Sequence, residues 1–472
     1  MTDFTALIEA DTGQAARTIQ ILDSGNFEDW LKGQPESIRA FVKAYRFKAS
    51  PSSYLILPPV GGKNDDKSVE SDFSVVAGVS NHEQLDPWSL AKLGGRLPEG
   101  QYRLQGASAK GGLFGWLIPQ HEFDRYKKLP NQQGPSVLVV NDAIGQRDEA
   151  VRQAEATAMV RDMVNTPAAD MGPDKIEDIV DKLSEKHGAE MKVTRGDTLE
   201  EHFPMIHGVG KAAMRAHAPR LVELKWGKAD HPKIAIVGKG VTFDSGGLSM
   251  KSPNGMKLMK KDMGGAAHAV ALAKMVMEAQ LPVHLHLLVP AVENSVDGHA
   301  LRPGDVLNSR KGLTVEITNT DAEGRLVLGD ALTLAGEEEP ELIIDFATLT
   351  GAARVALGPD LPAMFCDDKE MAEGLLAAGE QESDPLWHMP LWSGYDSMLK
   401  STIADCLNSA ASGFAGSVTA ALFLKKFAPK SVPWAHFDTY AWRPSSKPGR
   451  PKGGEALGLR ASWRYLQQRY GQ

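Results

Sequence analysis

The sequence is poor in cysteine and lacks the short motifs of several familiar enzyme classes. Its two cysteines, Cys366 and Cys406, are widely separated and no CxxC occurs, which excludes a thiolate zinc cluster and a disulfide framework. HExxH and GxSxG are also absent, so a helix-borne zinc protease site and a serine nucleophile elbow are excluded. The glycine-rich segment 238–267 does not fit GxGxxG or the phosphate-loop pattern, which argues against nucleotide binding.

Long apolar runs and an excess of positive charge are missing as well. No run approaches the roughly 18 apolar residues of a membrane-spanning helix. The first residues, MTDFTALIEADTGQ, lack the basic start and apolar core of a signal peptide. The net charge of −8 argues mildly against a nucleic-acid partner. We therefore expect a soluble cytoplasmic protein that binds neither membrane nor nucleic acid, with both cysteines as buried, inert thiols.

The chain has 472 residues, which is enough for two or three domains. In the first part, short apolar runs alternate with helical patterns such as DPWSLAKLGGRL (86–97), which predicts a smaller α/β domain over 1–145. A long helix is predicted over 146–166, because the residue before Pro167 is driven out of helical geometry. This helix would link the first domain to a larger catalytic domain over 167–472.

The larger domain alternates predicted strands with helical patterns. The strands are KIAIVG (233–238), VHLHLLVP (283–290), LTVEITN (313–319) and LIIDFATL (342–349). This order predicts an α/β fold with a mostly parallel sheet covered by helices. Ligands of such sheets bind in the loops after the carboxyl ends of the strands. Polar residues after KIAIVG and LTVEIT are therefore candidates for chemistry.

The segment NTDAEGRL (319–326) places Asp321, Glu323 and Arg325 where a strand gives way to a helix. Capping explains part of this pattern, since Asp321 can be the N-cap and Glu323 a first-turn acid that complements the helix dipole. Capping does not explain Gly324, which costs about 1 kcal/mol relative to alanine inside a helix, and it gives Arg325 no role. Two carboxylates aimed at one cation account better for the segment.

A second set of polar residues follows the strand 233–238. It consists of Lys239, Asp244, Lys251 and Asp262. Taken singly, these are ordinary surface or turn residues, and Asp262 can cap the next helix. Together they place two lysines and two aspartates between one strand and one helix of the predicted sheet. With the two acids of NTDAEGRL, four carboxylates would suffice for two divalent cations, which can activate a bridging water and stabilise an oxyanion.

Five segments carry a resemblance to a known family. They are GKGVTFDSGGLSMK, MKKDMGGAA, LRPGDV, NTDAEGRL and ATLTGAARVALG. In this order along the chain they strongly resemble the leucyl (cytosol) aminopeptidase family of two-metal exopeptidases. The resemblance covers residues 165–360 closely and continues more loosely to WAHFDTYAW (434–442).

The resemblance implies a role for each matching residue. The ligands of a tighter metal would be Lys239, Asp244, Asp262 and Glu323, and those of a more exchangeable metal would be Asp244, Asp321 and Glu323. As a ligand, Lys239 would have to be neutral. Lys251 would polarise the scissile carbonyl, and Arg325 would hold a bicarbonate that acts as general base. The pocket for the first side chain would be lined by Met259, Asn319, Ala322, Thr348, Leu349 and Gly351.

The same resemblance implies an activity and partners. The enzyme would remove N-terminal residues, Leu- or Met-like ones above all, from peptides with a free amino terminus. It would use water activated by two divalent ions, Mn or Zn, with Mg or Co as alternatives, and it would form a homohexamer. Two alternatives stay open: a related two-metal amidase or dipeptidase, and a non-catalytic or DNA-binding member. The chain departs from the family pattern at Ser252-Pro253 and over 447–460.

Overall fold

The computed structural model describes residues 2–59, 73–128 and 134–471. The chain divides into two compact units, Met1–Ala158 with Ser445–Pro451, and Met159–Pro444 with Lys452–Gln472. The helix Arg147–Asn165 therefore contributes residues to both units. The domain limits derived from the sequence, at 145/146 and 166/167, stay a prediction.

The described residues of the first unit are built on a six-stranded sheet. Its strands and helices are β1 Ile8–Ala10, β2 Arg17–Leu22, α1 Phe27–Lys32, α2 Glu36–Ala44, β3 Ser53–Leu57, β4 Ser74–Gly78, β5 Gly100–Gln105, α3 Leu113–Leu117, β6 Ser136–Val140 and α4 Arg147–Asn165. The strand order is β1-β6-β5-β2-β4-β3, and only the edge strand β3 runs antiparallel to its neighbour. Inward side chains such as Ile19, Val75 and Leu138 are fully buried and form the core.

The helix predicted over 86–97 is not formed. The chain winds there through successive turns, with bonds such as Ala91 N–H to Trp88 O at 3.0 Å. Gly94 lies directly against the backbone of Trp116, because a Cβ at position 94 would be 2.1 Å from the Trp116 carbonyl oxygen. Tight packing on a neighbouring segment therefore overrides the helical pattern.

The second unit is larger and alternates strands with helices. Its strands are β7 Glu190–Arg195, β8 Arg220–Trp226, β9 Lys233–Gly238, β10 Gly240–Asp244, β11 His284–Asn294, β12 Val306–Asn308, β13 Thr314–Glu316, β14 Leu342–Ala347, β15 Ala363–Cys366, β16 Trp387–Met389, β17 Cys406–Leu407, β18 Trp434–Asp438, β19 Trp442–Arg443 and β20 Gly453–Gly454. Its helices are α5 Pro173–His187, α6 Gly196–His202, α7 Pro204–Gly210, α8 Pro253–Met256, α9 Gly264–Glu278, α10 Gly324–Glu337, α11 Gly351–Leu357, α12 Lys369–Gln381, α13 Gly416–Lys425 and α14 Leu459–Tyr470.

The main sheet of this unit has nine strands among the described residues. The order is β16-β15-β18-β14-β9-β11-β8-β7, and β10 also pairs with β11. The central strands β18, β14, β9 and β11 are parallel, whereas β15, β8 and β7 add antiparallel pairs toward the edges. Helix α9 packs on β9 and β14. The predicted α/β class, with a mostly parallel and helix-covered sheet, is confirmed.

The segment LTVEITN is correctly predicted as a strand, but it does not join the main sheet. Only Thr314–Glu316 is extended, and it pairs with β12 and β17 in a separate three-stranded sheet. Asp405 holds this register, since its Oδ2 accepts the Thr314 N–H and Oγ1–H, each at 2.8 Å. A β-branched run predicts an extended chain but does not specify which strand it pairs with.

Two expectations from composition concern membranes and cysteines. In the part of the chain that the structure describes, no helix combines the length and the apolar character needed to cross a membrane.

Cys366 and Cys406 are buried free thiols. Burial raises the pKa of Cys366 to about 12 and that of Cys406 to about 11, so both thiols are protonated and unreactive at neutral pH, as predicted.

A buried hydrogen-bond network joins β14 to β18. Asp345 Oδ2 accepts from Trp434 Nε1 at 2.6 Å, and Asp345 Oδ1 lies 2.6 Å from His436 Nδ1. All three residues are at most 2% exposed. Burial by itself lowers the pKa of His436, but the Asp345 charge outweighs burial, so the pKa stands above its ordinary value. The carboxylate thus satisfies two donors that have no access to water.

We expect Asp345→Ala to destabilise the second unit by about 3–5 kcal/mol, because it leaves Trp434 Nε1 and the His436 ring buried without their acceptor. Urea unfolding followed by tryptophan fluorescence measures the loss. Asp367→Ala is the matched control, since Asp367 is 49% exposed in its pair with Lys425 and should change stability by less than about 1 kcal/mol. Equal effects of the two variants would contradict a structural role for the network.

Candidate active site

Lys239 lies at the point where β9 gives way to β10. Both strands pair with β11, and the register of β9 continues into β10 as far as Val241, after which it shifts by one residue before Asp244. Between them, the Lys239 N–H donates to Phe346 O at 3.0 Å, and its carbonyl oxygen accepts the Ala266 N–H at 2.8 Å. These bonds to β14 and α9 fix the position from which the lysine side chain starts, at the carboxyl edge of the parallel strands.

The Lys239 ammonium joins carboxylates from two distant segments. Its Nζ lies 2.7 Å from Asp262 Oδ2 and 2.8 Å from Glu323 Oε1, and these side chains are at most 3% exposed. Thr348 Oγ1 donates to Asp262 Oδ1 at 2.7 Å. Burial by itself lowers the pKa of Lys239, but the attraction of Asp262, Glu323 and Asp244 outweighs burial, so the pKa is raised.

Gly324 is required by the path of the Lys239 side chain. A Cβ at position 324 would lie 2.5 Å from both Cε and Nζ of Lys239, which is closer than two such atoms can approach. The glycine that weakens the start of α10 therefore leaves room for the ammonium beside Glu323. Packing, rather than capping, accounts for this residue.

Lys251 forms a second bridge between carboxylates. Its Nζ lies 2.8 Å from Asp244 Oδ2 and 2.5 Å from Asp321 Oδ1. The side chain of Lys251 is 15% exposed and that of Asp321 is 30% exposed, against 3% for Lys239 and for Asp262. One cluster is thus formed by six charged residues: Lys239, Asp244, Lys251, Asp262, Asp321 and Glu323. It is buried around Lys239 and partly exposed around Lys251 and Asp321.

The acids of NTDAEGRL do not cap α10 with their side chains. The N-cap residue is Glu323, and it makes no side-chain capping bond. Asp321 lies two residues earlier with its carboxylate on Lys251, so its expected role as N-cap is wrong. Asp262 does not cap α9 either, since the N-cap residue there is Met263. Asp244 does act as a turn residue, because its Oδ1 accepts the N–H of Gly246 at 2.9 Å.

The cluster carries four carboxylates and only two ammonium groups. Burial raises the pKa of Glu323 to about 8 and that of Asp321 to about 6, and the Asp244 charge adds to both shifts. Oxygens of Asp244, Asp262 and Glu323 lie within 4.8 Å of one another. Over the described ranges, Glu323 Oε2 is buried with no hydrogen-bond partner. Divalent cations fit this arrangement, because they would coordinate the unpartnered oxygen and neutralise the excess charge.

Two neutral side chains that the sequence analysis missed hold the two polar segments together. Asn294 Nδ2, at the end of β11, donates to Asp244 Oδ1 at 2.8 Å and to Thr320 O at 3.1 Å. Thr320 Oγ1 donates to Gly246 O at 2.6 Å and accepts the Ser249 N–H at 2.7 Å. The rule that polar residues follow the carboxyl ends of strands would have indicated Asn294, whereas no sequence signal marks Thr320.

Arg325 is buried near the cluster, and within the described residues it forms no ion pair with a carboxylate of the cluster. Its Nη1 donates to Asn408 O at 2.9 Å, and its Nε is buried with no hydrogen-bond partner in that part of the chain. Burial lowers the pKa of Arg325 to about 10, so the guanidinium is charged at neutral pH. Asn408, also missed, binds the backbone of Thr318 and Asn319 at 2.8 and 2.7 Å. It therefore positions both Arg325 and the start of NTDAEGRL.

The six residues assigned to the substrate pocket differ in exposure. Thr348 and Ala322 are buried, Met259, Asn319 and Leu349 are half-buried, and Gly351 is exposed. Among the described contacts, only Thr348 of these six donates a hydrogen bond to a carboxylate of the cluster. Asp438, at the end of β18, accepts the N–H groups of Leu349 and Thr350 at 3.0 and 3.1 Å. Asp438 was missed, because no strand was predicted over the segment that forms β18.

Comparisons of the sequence with known families agree over both units. Residues 158–462 match the cytosol aminopeptidase family, catalytic domain, and residues 18–138 match the M17 aminopeptidase, N-terminal domain. A probable cytosol aminopeptidase of Syntrophotalea carbinolica is 40% identical over 370 residues, which cover 75% of this chain and 74% of that protein. One from Rickettsia bellii is 35% identical over 441 residues, with coverages of 86% and 87%.

Solved structures give the same result. The crystal structure of the cytosol aminopeptidase from Coxiella burnetii superposes with a TM-score of 0.90 at 41% identity, over 98% of this chain and 99% of that one. The bottromycin maturation enzyme BotP in complex with Mn superposes with a TM-score of 0.85 at 30% identity, over 97% and 100% of the two chains. With its family match, its sequence identity and its fold in agreement, the chain belongs to the cytosol aminopeptidase family of peptidases.

Proposed function

We propose that this protein is a metal-dependent aminopeptidase that removes the N-terminal residue from peptides in the cytoplasm. The observation that carries the proposal is the buried cluster of four carboxylates and two ammonium groups, in which Glu323 Oε2 has no hydrogen-bond partner among the described residues. Membership of a peptidase family supports the reaction. The manganese complex of BotP, a structural relative, supports manganese as one candidate ion.

Two divalent ions, Mn or Zn, with Mg or Co as alternatives, would be held by the cluster. Lys239, Asp244, Asp262 and Glu323 would hold the tighter ion, and Asp244, Asp321 and Glu323 the more exchangeable one. The exposures support this division, since the side chain of Asp321 is 30% exposed and that of Asp262 only 3%. Such ions, when bound, activate water and stabilise the oxyanion of peptide hydrolysis. Lys239 must give up its proton to become a ligand, so metal uptake would release a proton.

Lys251 and Arg325 would act on the substrate side of the cluster. Lys251 is the more accessible of the two ammonium groups, so it can reach the scissile carbonyl oxygen and stabilise the charge that develops there. Arg325 Nε is buried and unpartnered within the described residues, which suits a small anion such as bicarbonate, the proposed general base. Asn408 would keep Arg325 in place through its carbonyl oxygen.

The metal ions that the cluster would hold also support cleavage at a free amino terminus. A neutral α-amine has a lone pair that can bind a metal ion, whereas the nitrogen of an acylated terminus has none available. Half-buried Met259 and Leu349 and buried Ala322 offer apolar surface for the first side chain. We therefore propose Leu- and Met-like residues as substrates at this position.

Protein stripped of metal with a chelator is expected to lose hydrolysis of leucyl-p-nitroanilide, and Mn(II) or Zn(II) is expected to restore it. The reason is that the carboxylates cannot supply a Lewis acid themselves. N-acetylation of the substrate should abolish turnover by the restored enzyme. No recovery with any divalent metal on any unblocked aminoacyl substrate would sink the proposal. Undiminished cleavage of the acetylated substrate would sink its exopeptidase part.

The variants Glu323→Gln and Arg325→Ala are both expected to lose activity, but for different reasons. Glu323→Gln removes charge from a shared ligand and should lower the metal content measured by mass spectrometry. Arg325→Ala should retain metal and lose about 10²–10⁴ in kcat, the usual contribution of general acid–base catalysis. Arg302→Ala, at a site where the side chain is 70% exposed, is the control and should change neither quantity. Loss of metal from the Arg325 variant would contradict the assigned roles.

We also propose that the chain assembles as a homohexamer. Several large apolar side chains of the second unit are exposed: Phe414 at 83%, Val355 at 80%, Ile403 at 65% and Trp392 at 63%. Exposed apolar surface of this kind is typical of subunit contacts. Light scattering should give a mass six times the 51.0 kDa of one chain, and Phe414→Ser should lower it. A monomer at micromolar concentration with full activity would contradict this assembly.

A further inference from the structure

Lys261 is a buried cation whose ion pair is long and whose ammonium makes no hydrogen bond among the described residues. The residue is 6% exposed, yet within the described ranges its Nζ makes no hydrogen bond, and the nearest carboxylate oxygen, Asp262 Oδ1, is 3.8 Å away. Buried lysines are normally paired, because a lone ammonium out of water is costly. The side chain therefore needs an explanation.

The neighbouring carboxylate gives Lys261 only a long ion pair, at 3.8 Å. Asp262 Oδ1 already accepts the Thr348 hydroxyl at 2.7 Å, and Asp262 Oδ2 lies 2.7 Å from Lys239 Nζ. The preceding residue, Lys260, is different, since its Nζ donates to Asn165 O. Of these two adjacent lysines, one donates a hydrogen bond to the backbone and the other has only a long ion pair.

A second cation lies near the same tyrosine ring as Lys261. The Lys261 Nζ and the Arg354 guanidinium are 5.3 and 5.2 Å from the centre of the Tyr440 ring. A Cβ on Gly351 would lie 3.8 Å from Arg354 Nη2. Gly351 and Thr348 are two of the residues assigned to the pocket for the first side chain. Positive charge is therefore concentrated beside that pocket.

We propose that Lys261 binds a carboxylate on the first side chain of the substrate, so that the enzyme removes N-terminal glutamate and aspartate as well as apolar residues. This inference rests on the proposed aminopeptidase activity and names a further substrate class for the same site. The apolar residues of the pocket contact the methylene stem, and the ammonium receives the carboxylate. Arg354, being exposed, adds a weaker attraction at the pocket entrance.

The test compares glutamyl- and glutaminyl-p-nitroanilide with the metal-loaded full-length protein. These substrates have nearly the same size and differ in charge, so the ratio of their kcat/KM values isolates the electrostatic contribution. Wild type should favour glutamyl or cleave both equally. Lys261→Met should lower the glutamyl-to-glutaminyl ratio about ten- to hundredfold, as expected for loss of a charge-assisted hydrogen bond, and Lys261→Arg should restore most of it.

Lys260→Met is the matched control, since it removes the same charge one residue away and should leave the ratio unchanged. Lys261→Met should keep its metal content and melt no lower than wild type, because it replaces a buried ammonium that has only a long ion pair with an apolar side chain. Arg354→Gln, at an exposed position that folding tolerates, should lower the ratio about two- to fivefold.

A wild-type ratio below one would overturn the inference, because the ammonium should attract the charged side chain more strongly than the neutral one. So would an unchanged ratio in Lys261→Met, an equal drop in Lys260→Met, or a Lys261→Met protein that melts well below wild type. All of these leave leucyl-p-nitroanilide hydrolysis by wild type intact. A metal-loaded protein that cleaves none of the leucyl, glutamyl and glutaminyl substrates would contradict the aminopeptidase proposal itself.

Discussion

The concentration of four carboxylates in one buried place is the constraint on which the rest of the second unit depends. Like charges held this close repel one another strongly in an interior that screens poorly. Lys239 and Lys251 each bridge two of the acids and offset half of that charge. Burial, together with the remaining negative charge, that of Asp244 first, raises the pKa of Glu323 to about 8. Cation binding would remove this penalty, so the same imbalance that destabilises the empty cluster provides its affinity for metal.

Holding such a cluster together requires rigid neutral support. Asn294 and Thr320 tie the loop after β10 to the segment before α10, and Asn408 fixes that segment from the other side. Each uses amide or hydroxyl groups, which add no charge to a cluster that already has more carboxylates than ammonium groups. Gly324 contributes by having no side chain, since any Cβ there would displace the Lys239 ammonium.

Neighbouring lysines show how much environment decides the role of a residue type. Lys239 and Lys261 are buried and Lys260 is half-buried, yet their surroundings differ. Lys260 donates to a backbone carbonyl, and Lys239 lies between two carboxylates. Lys261 lies near the Tyr440 ring and 3.8 Å from the nearest carboxylate oxygen, and it is the lysine that we propose for recognition of an anionic substrate group.

The amino-acid sequence by itself determined the alternation of strands and helices, the absence of competing motifs and the set of charged residues that follow strand ends. These properties depend on local patterns, and so does the family resemblance. The sequence did not reveal that LTVEITN pairs outside the main sheet, that Glu323 rather than Asp321 is the N-cap residue, or that Asn408 supports Arg325. Those outcomes were decided by the tertiary structure, because each involves a contact between distant segments: β13 with β17, Asp321 with Lys251, and Arg325 with Asn408. No local pattern encodes such contacts.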